Sequence, residues 1–168
     1  EPLLAGVLEI REAALGPAHP DVASTMITLA NHQIHLAHYE QAEDLYLRAQ
    51  EIFAAALGPN SLQVAGLLTN SSEIDFMLSR YASGIAKNRR ALAITEPIVG
   101  PDHGRVGLLL TNSAAHYIEQ NRLDEADEAL RRSLEIQEAT LGRDHPDLAQ
   151  PLAGLAIVRI QRGLFSEA

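Results

Sequence analysis

Apolar residues in this chain recur at helical spacing, and the helical stretches come in pairs. From Val22 to about Leu36 they fall at Val22, Met26, Leu29, Ala30 and Ile34, one face of a helix. A short break follows at Ala37-His38-Tyr39. From Glu40 to about Leu57 a second face runs through Ala42, Leu45, Tyr46, Ala49, Ile52 and Phe53. Gly58-Pro59 stops that helix, because glycine tolerates the left-handed conformation past a helix end and proline cannot extend the helix. The next helix is expected to begin near the position held by His19, Ser61, His103 and His145, with Ser61 suited to capping it. Pro20 and Pro146 suit a first helical turn, and Asp21 and Asp147 complement its positive end.

The pattern repeats. Leu15-Gly16-Pro17-Ala18-His19-Pro20-Asp21-Val22-Ala23 returns in altered form from Leu57, from Val99 and from Leu141, each time 42 residues on. Ala42, Gly84, Ala126 and Ala168 keep the same phase, as do Ala30, Ser72, Ala114 and Ala156. The expected organisation is a second helix over 1–15, repeats at 16–57, 58–99 and 100–141, and a truncated repeat at 142–168. Leu3 sits where Leu45 does, Ile10 where Ile52 does, and Glu1 follows Ala168 in phase. The chain therefore reads as a segment of a longer array, with an exposed apolar side at its last helix that favours end-to-end self-association.

Composition narrows the chemistry. The chain has 168 residues, 46% hydrophobic but only 4% aromatic, so small side chains do the packing and close helix contacts are favoured. Cysteine is absent, which removes disulfides, thiolate catalysis and zinc-finger ligation. A net charge of −9 argues against nucleic acid or an anionic membrane as partner. No apolar run approaches spanning length, and a cytoplasmic location is expected. Lys87 is the single lysine, and the Ala- and Arg-rich composition points to a GC-rich, bacterial-type genome.

Helix pairs marked by small residues at these offsets resemble the tetratricopeptide repeat. The 42-residue period and the connector Leu141-Gly142-Arg143-Asp144-His145-Pro146-Asp147-Leu148-Ala149 are similar to the kinesin light chain type, which is also widespread in bacteria. The resemblance covers the whole chain. It is carried best by the third repeat, with Leu110-Thr111-Asn112-Ser113-Ala114, Tyr117 and Asn121-Arg122-Leu123-Asp124-Glu125-Ala126. It implies an all-α fold, an α-solenoid of antiparallel helix pairs in a right-handed superhelix, with first helices lining the concave side. The second repeat departs most, with Asp75 where a packed Tyr is expected, Asn88 at an apolar site and Gly84 at the small-residue site. Residues 70–90 are therefore expected to be soft, since an unpaired buried polar group costs about 1–3 kcal/mol.

By register the concave lining includes Asn31, Ile34 and His35, then Asn70, Glu73, Phe76 and Met77, then Asn112, Ile118 and Glu119, and finally Ala153, Ile157 and Ile160. The resemblance implies that Asn70 and Asn112 read the backbone of an extended peptide, for which a carboxamide offers both donor and acceptor. Thr28 and Gly154 interrupt this ladder at its ends. Phe76, Met77 and Ile118 are candidates for side-chain pockets. The lining carries Glu73 and Glu119 but no Lys or Arg, so a neutral or basic peptide is expected rather than an acidic C-terminal tail. Such a groove suggests roughly micromolar affinity.

Other chemistry finds little support. His32, His35 and His38 drift around one helix by about 60° per step, and no Cys or matched carboxylate pair completes a metal site. No P-loop, dinucleotide fingerprint or G-x-S-x-G elbow is present. The reading is a non-catalytic, cofactor-free scaffold that binds a protein or peptide. Its alternatives are an intramolecular regulatory segment of a larger signalling protein and a self-assembly module.

Overall fold

The connectors between helix pairs and the turns within them close their backbone hydrogen bonds in two different ways. The computed structural model describes residues 2–163, which contain eight α-helices and no strand. They are α1 (Pro2–Leu15), α2 (Pro20–His35), α3 (Tyr39–Leu57), α4 (Leu62–Met77), α5 (Tyr81–Val99), α6 (Gly104–Glu119), α7 (Leu123–Leu141) and α8 (Ala149–Gln161). A 3-10 turn, Pro146–Leu148, leads into α8. Pro151 stands in the first turn of α8 and has no N–H to give to Asp147, so the chain enters by the tighter turn. Ala168 and Glu1, on which the phase of the chain ends rested, lie outside the described residues.

The histidines of the connectors are helix caps. His19, His103 and His145 sit in extended backbone just before their helices, and each Nδ1 accepts from the backbone N–H two residues on, at 3.1, 3.1 and 3.2 Å. An imidazole with its proton on Nε2 thus does the work that Ser or Asp does elsewhere. Ser61, expected to cap α4, does not: its hydroxyl is buried and makes no hydrogen bond.

Two kinds of turn alternate. Gly16, Gly58, Gly100 and Gly142 follow α1, α3, α5 and α7 with φ of 85–93°. At Gly58, Gly100 and Gly142 ψ is 152–158°, so these residues are extended rather than left-handed helical, a region open essentially to glycine alone. The turns inside each pair are Schellman motifs: His38, Arg80 and Arg122 N–H bond to the carbonyls of Gln33, Asp75 and Tyr117 at 2.9, 2.7 and 2.9 Å. The residues before them, Ala37, Ser79 and Asn121, take φ of 59, 56 and 56°.

The chain divides into two compact units, Glu1–Ile74 and Asp75–Ala168. In the first, α2 packs against α1 and α3. Val22, Ala23, Met26, Leu29 and Ala30 face Ala42, Leu45, Tyr46, Ala49 and Phe53, all buried. Arg11 ties α1 to α2 through the Thr25 hydroxyl (2.8 Å). On α1, Leu3, Val7 and Ile10 remain exposed. In the second unit α6 packs against α5, α7 and α8 around Val106, Leu110, Ala114, Tyr117, Ala126, Leu130, Ile136 and Val158. Ala30, Ala42, Ala114 and Ala126 are wholly buried, which lets the helix axes come close. Ala156 is exposed, and the described residues contain no second helix after α8 to cover it.

A left-handed φ costs a side-chain-bearing residue about 1–2 kcal/mol, less for Asn. Ala37→Gly is therefore expected to raise the unfolding free energy by about 1 kcal/mol in denaturant titration, and Asn121→Gly to change it by less. Equal effects would contradict this account of the turns.

Candidate protein-interaction site

In the first unit the candidate asparagines are engaged from below. Tyr46, on α3 and almost wholly buried, donates its hydroxyl to Asn31 Oδ1 on α2. The Asn70 side chain also hydrogen-bonds this hydroxyl, and Glu73 lies near enough to act on it electrostatically. Burial, reinforced by the Glu73 charge and partly offset by Asn70, pushes the phenol up to about 12. Asn31 and Asn70 thus hold an adjacent helix. His35 is exposed on the last turn of α2. His38 Nδ1 lies 2.9 Å from Gln33 Oε1, and no group of three metal-ligating side chains forms among the described residues.

The second unit has an open depression of about 360 Å³. Its floor and walls are Ala115, Ile118, Leu130, Ala153, Gly154 and Ile157, with Phe76 at one side and Thr111, Asn112, Glu119 and Gln150 supplying polar groups. Four of the expected site residues, Phe76, Asn112, Ile118 and Glu119, meet here. Asn112 and Glu119 are exposed on α6. Met77, exposed at the end of α4, does not line this space. The contribution of Leu130 was missed from the sequence because it belongs to a second helix, α7. Its signal was an apolar residue where α3 carries Tyr46. A smaller depression of about 250 Å³ opens between α5 and α7, over Leu110 and Tyr117, with Arg89, Arg132, Glu125 and Glu128 at its edge.

The stretch expected to be soft is a polar and aromatic core of its own. Asp75 is fully buried but not unpaired: Lys87 Nζ lies 2.8 Å and Arg80 Nε 3.1 Å from its carboxylate, and Ser83 donates to it at 2.6 Å. The cost assigned to an orphaned carboxylate is thus not incurred. Gly84 is occupied space by proxy. A Cβ there would lie 2.1 Å from Cε1 of the buried His116 ring. That ring meets Phe76 and Tyr81 edge-on, at 5.4 and 6.2 Å between centroids. Phe76 therefore connects the depression to this core.

Helix pairs in tandem, the first helices of the second unit bearing a side-chain-lined depression, define a helical-repeat protein. The chain belongs to the tetratricopeptide repeat family, whose model matches residues 1–55, 63–136 and 105–168. Such repeats generally mediate protein–protein interaction and are typically non-enzymatic. Among solved structures the chain is similar to BtubC (BKLC) from P. vanneervenii, with a TM-score of 0.85 at 23% identity over 97% of this chain. It spans 65% of that chain's length. Two structures of a kinesin light chain-like protein with nearly identical TPR-like repeats, from P. anserina, give TM-scores of 0.82 and 0.81 at 20% identity, covering 98% of this chain and 78% of theirs. No curated protein matches. No helix among the described residues is long and apolar enough to cross a membrane.

Two measurements check the geometry. Because the Tyr46 phenol rises from 10.0 to about 12 on folding, its contribution is fully present below pH 10 and lost as pH rises towards 12. Unfolding free energy is expected to fall by about 2 kcal/mol across that window, and Tyr46→Phe to remove this share; an unchanged slope would contradict the assignment. Gly84→Ala is expected to cost about 1–3 kcal/mol by overpacking. Paired with His116→Ala it should cost less than the sum of the two single changes, and simple additivity would show that the contact does not limit packing.

Proposed function

We propose that this chain is a non-catalytic scaffold that binds an extended segment of a protein partner along its first helices, with the depression on α6 and α8 as the principal contact. The observation that carries the reading is the meeting of an exposed carboxamide, Asn112, and an exposed carboxylate, Glu119, at the rim of an apolar space of about 360 Å³. That volume lies at the lower end of the range for ligand-holding clefts. Asn112, exposed on α6, offers a donor and an acceptor to a peptide group of the partner, a contribution of about 1 kcal/mol. Glu119 favours neutral or basic segments over acidic ones. Asn31, His35, Asn70, Glu73 and Met77 contribute at most a flanking surface, since Asn31 and Asn70 already serve Tyr46.

A displayed-peptide selection on the immobilised chain tests this. A shared motif is expected to be enriched, and Asn112→Ala to weaken the selected peptides about 3- to 10-fold without lowering the melting temperature. Enrichment unaffected by Asn112→Ala and by Glu119→Lys would move the interaction off this face.

A further inference from the structure

Between their first helices the two units carry different side chains at three register positions. Two repeat periods after Tyr46, Asn31 and Asn70 stand Leu130, Ala115 and Gly154. In the first unit the Tyr46 hydroxyl reaches between α2 and α4 and is bonded by the two carboxamides. In the second, Leu130 ends in methyl groups, Ala115 and Gly154 reach nowhere, and the space is the depression on α6 and α8. Gly154 and Leu130 are matched, since a Cβ at 154 would lie 2.8 Å from Leu130 Cδ2. With Ala153 and Ile157 they leave a floor without a polar group to satisfy a buried donor or acceptor. Thr111, Asn112, Gln150 and Glu119 are polar residues around it.

We infer that Leu130, Gly154 and Ala115 form a specificity gate that admits one aliphatic side chain of an extended partner segment, and that Glu119 selects a Lys or Arg beside that anchor. The inference rests on the reading of this face as the binding surface and adds the chemistry of the occupant. The largely apolar lining disfavours an acidic or amide anchor relative to an aliphatic one. The exposed carboxylate of Glu119, in a lining without Lys or Arg, selects positive charge for the neighbour. The same positions in the first unit carry a phenol bonded by two carboxamides, so no aliphatic anchor is expected there.

The test uses blocked nine-residue Gly/Ser peptides with a central Leu-Arg pair, and counterparts with Ala for Leu or Glu for Arg. Each is titrated into the 168-residue chain and followed by nuclear magnetic resonance shifts. The Leu-Arg peptide is expected to shift Ile118 and Ile157, the Ala counterpart to bind about 10- to 100-fold more weakly, and the Glu counterpart more weakly by a few-fold. The triple variant Ala115→Asn, Leu130→Tyr, Gly154→Asn, which copies the first unit, is expected to abolish binding. Ala153→Phe, which fills the space from an exposed position, should do the same in a chain whose folding is not in question. Equal binding of the Leu and Ala peptides, binding that survives Ala153→Phe, or no binding by any of these peptides would overturn the gate. If the displayed-peptide selection still yields an Asn112-dependent motif in that case, only the chemistry of the anchor is wrong, whereas no motif removes the binding face itself.

Discussion

Everything in this chain hangs on how closely the paired helices approach. The crossings are made at Ala30 and Ala42 in the first unit and at Ala114 and Ala126 in the second, all without solvent exposure. A larger residue at such a site must push the axes apart or take volume from a neighbour. The second repeat shows the inverse adjustment. Gly84 replaces the alanine, and the His116 imidazole moves into the space, where Phe76 and Tyr81 hold it edge-on. At this contact the smaller residue on one helix is matched by a larger one on its neighbour.

Close pairing also fixes which side chains reach the face of the first helices. The same second-helix position points Tyr46 at Asn31 and Asn70, and Leu130 at Gly154. One choice produces a satisfied polar lock, and the other an apolar depression. Repetition of the backbone thus supplies equivalent places, and the side chains at those places decide whether each is structural or open to a partner. The buried Asp75 follows a related logic: its partners Arg80, Ser83 and Lys87 all come from the turn and helix that follow it, so the charge is neutralised locally.

Much of the fold is legible in the sequence, because periodic apolar faces and Gly-Pro punctuation report directly on local structure. The bounds of α2 and α3 lie within one or two residues of those the pattern implied. What escaped depends on partners distant in sequence or on unusual chemistry. Nothing about Ala37 or Ser79 announces a positive φ, whereas Asn121 is at home there. Capping by His Nδ1 is hidden because histidine is not a usual cap, and Ser61, which is, leaves its hydroxyl unused. The asparagine ladder was visible as a register, but its first-unit member, Asn70, serves Tyr46, a residue of another helix, as does Asn31 outside that register. Asp75 looked orphaned because the pattern expected an aromatic residue, although its counter-charges were a few positions downstream.

The central claim is that equivalent places in the two units carry a phenol bonded by carboxamides in one and an apolar depression in the other, and that a partner uses the depression. Methyl resonances of the isoleucines report on both at once: Ile27 and Ile34 on α2, Ile118 on α6 and Ile157 on α8. The measurement is their shift on saturation with a peptide taken from the displayed-peptide selection. The account predicts perturbation of Ile118 and Ile157 with Ile27 and Ile34 unmoved. Perturbation centred on Ile27 and Ile34, with Ile118 and Ile157 silent, would contradict it.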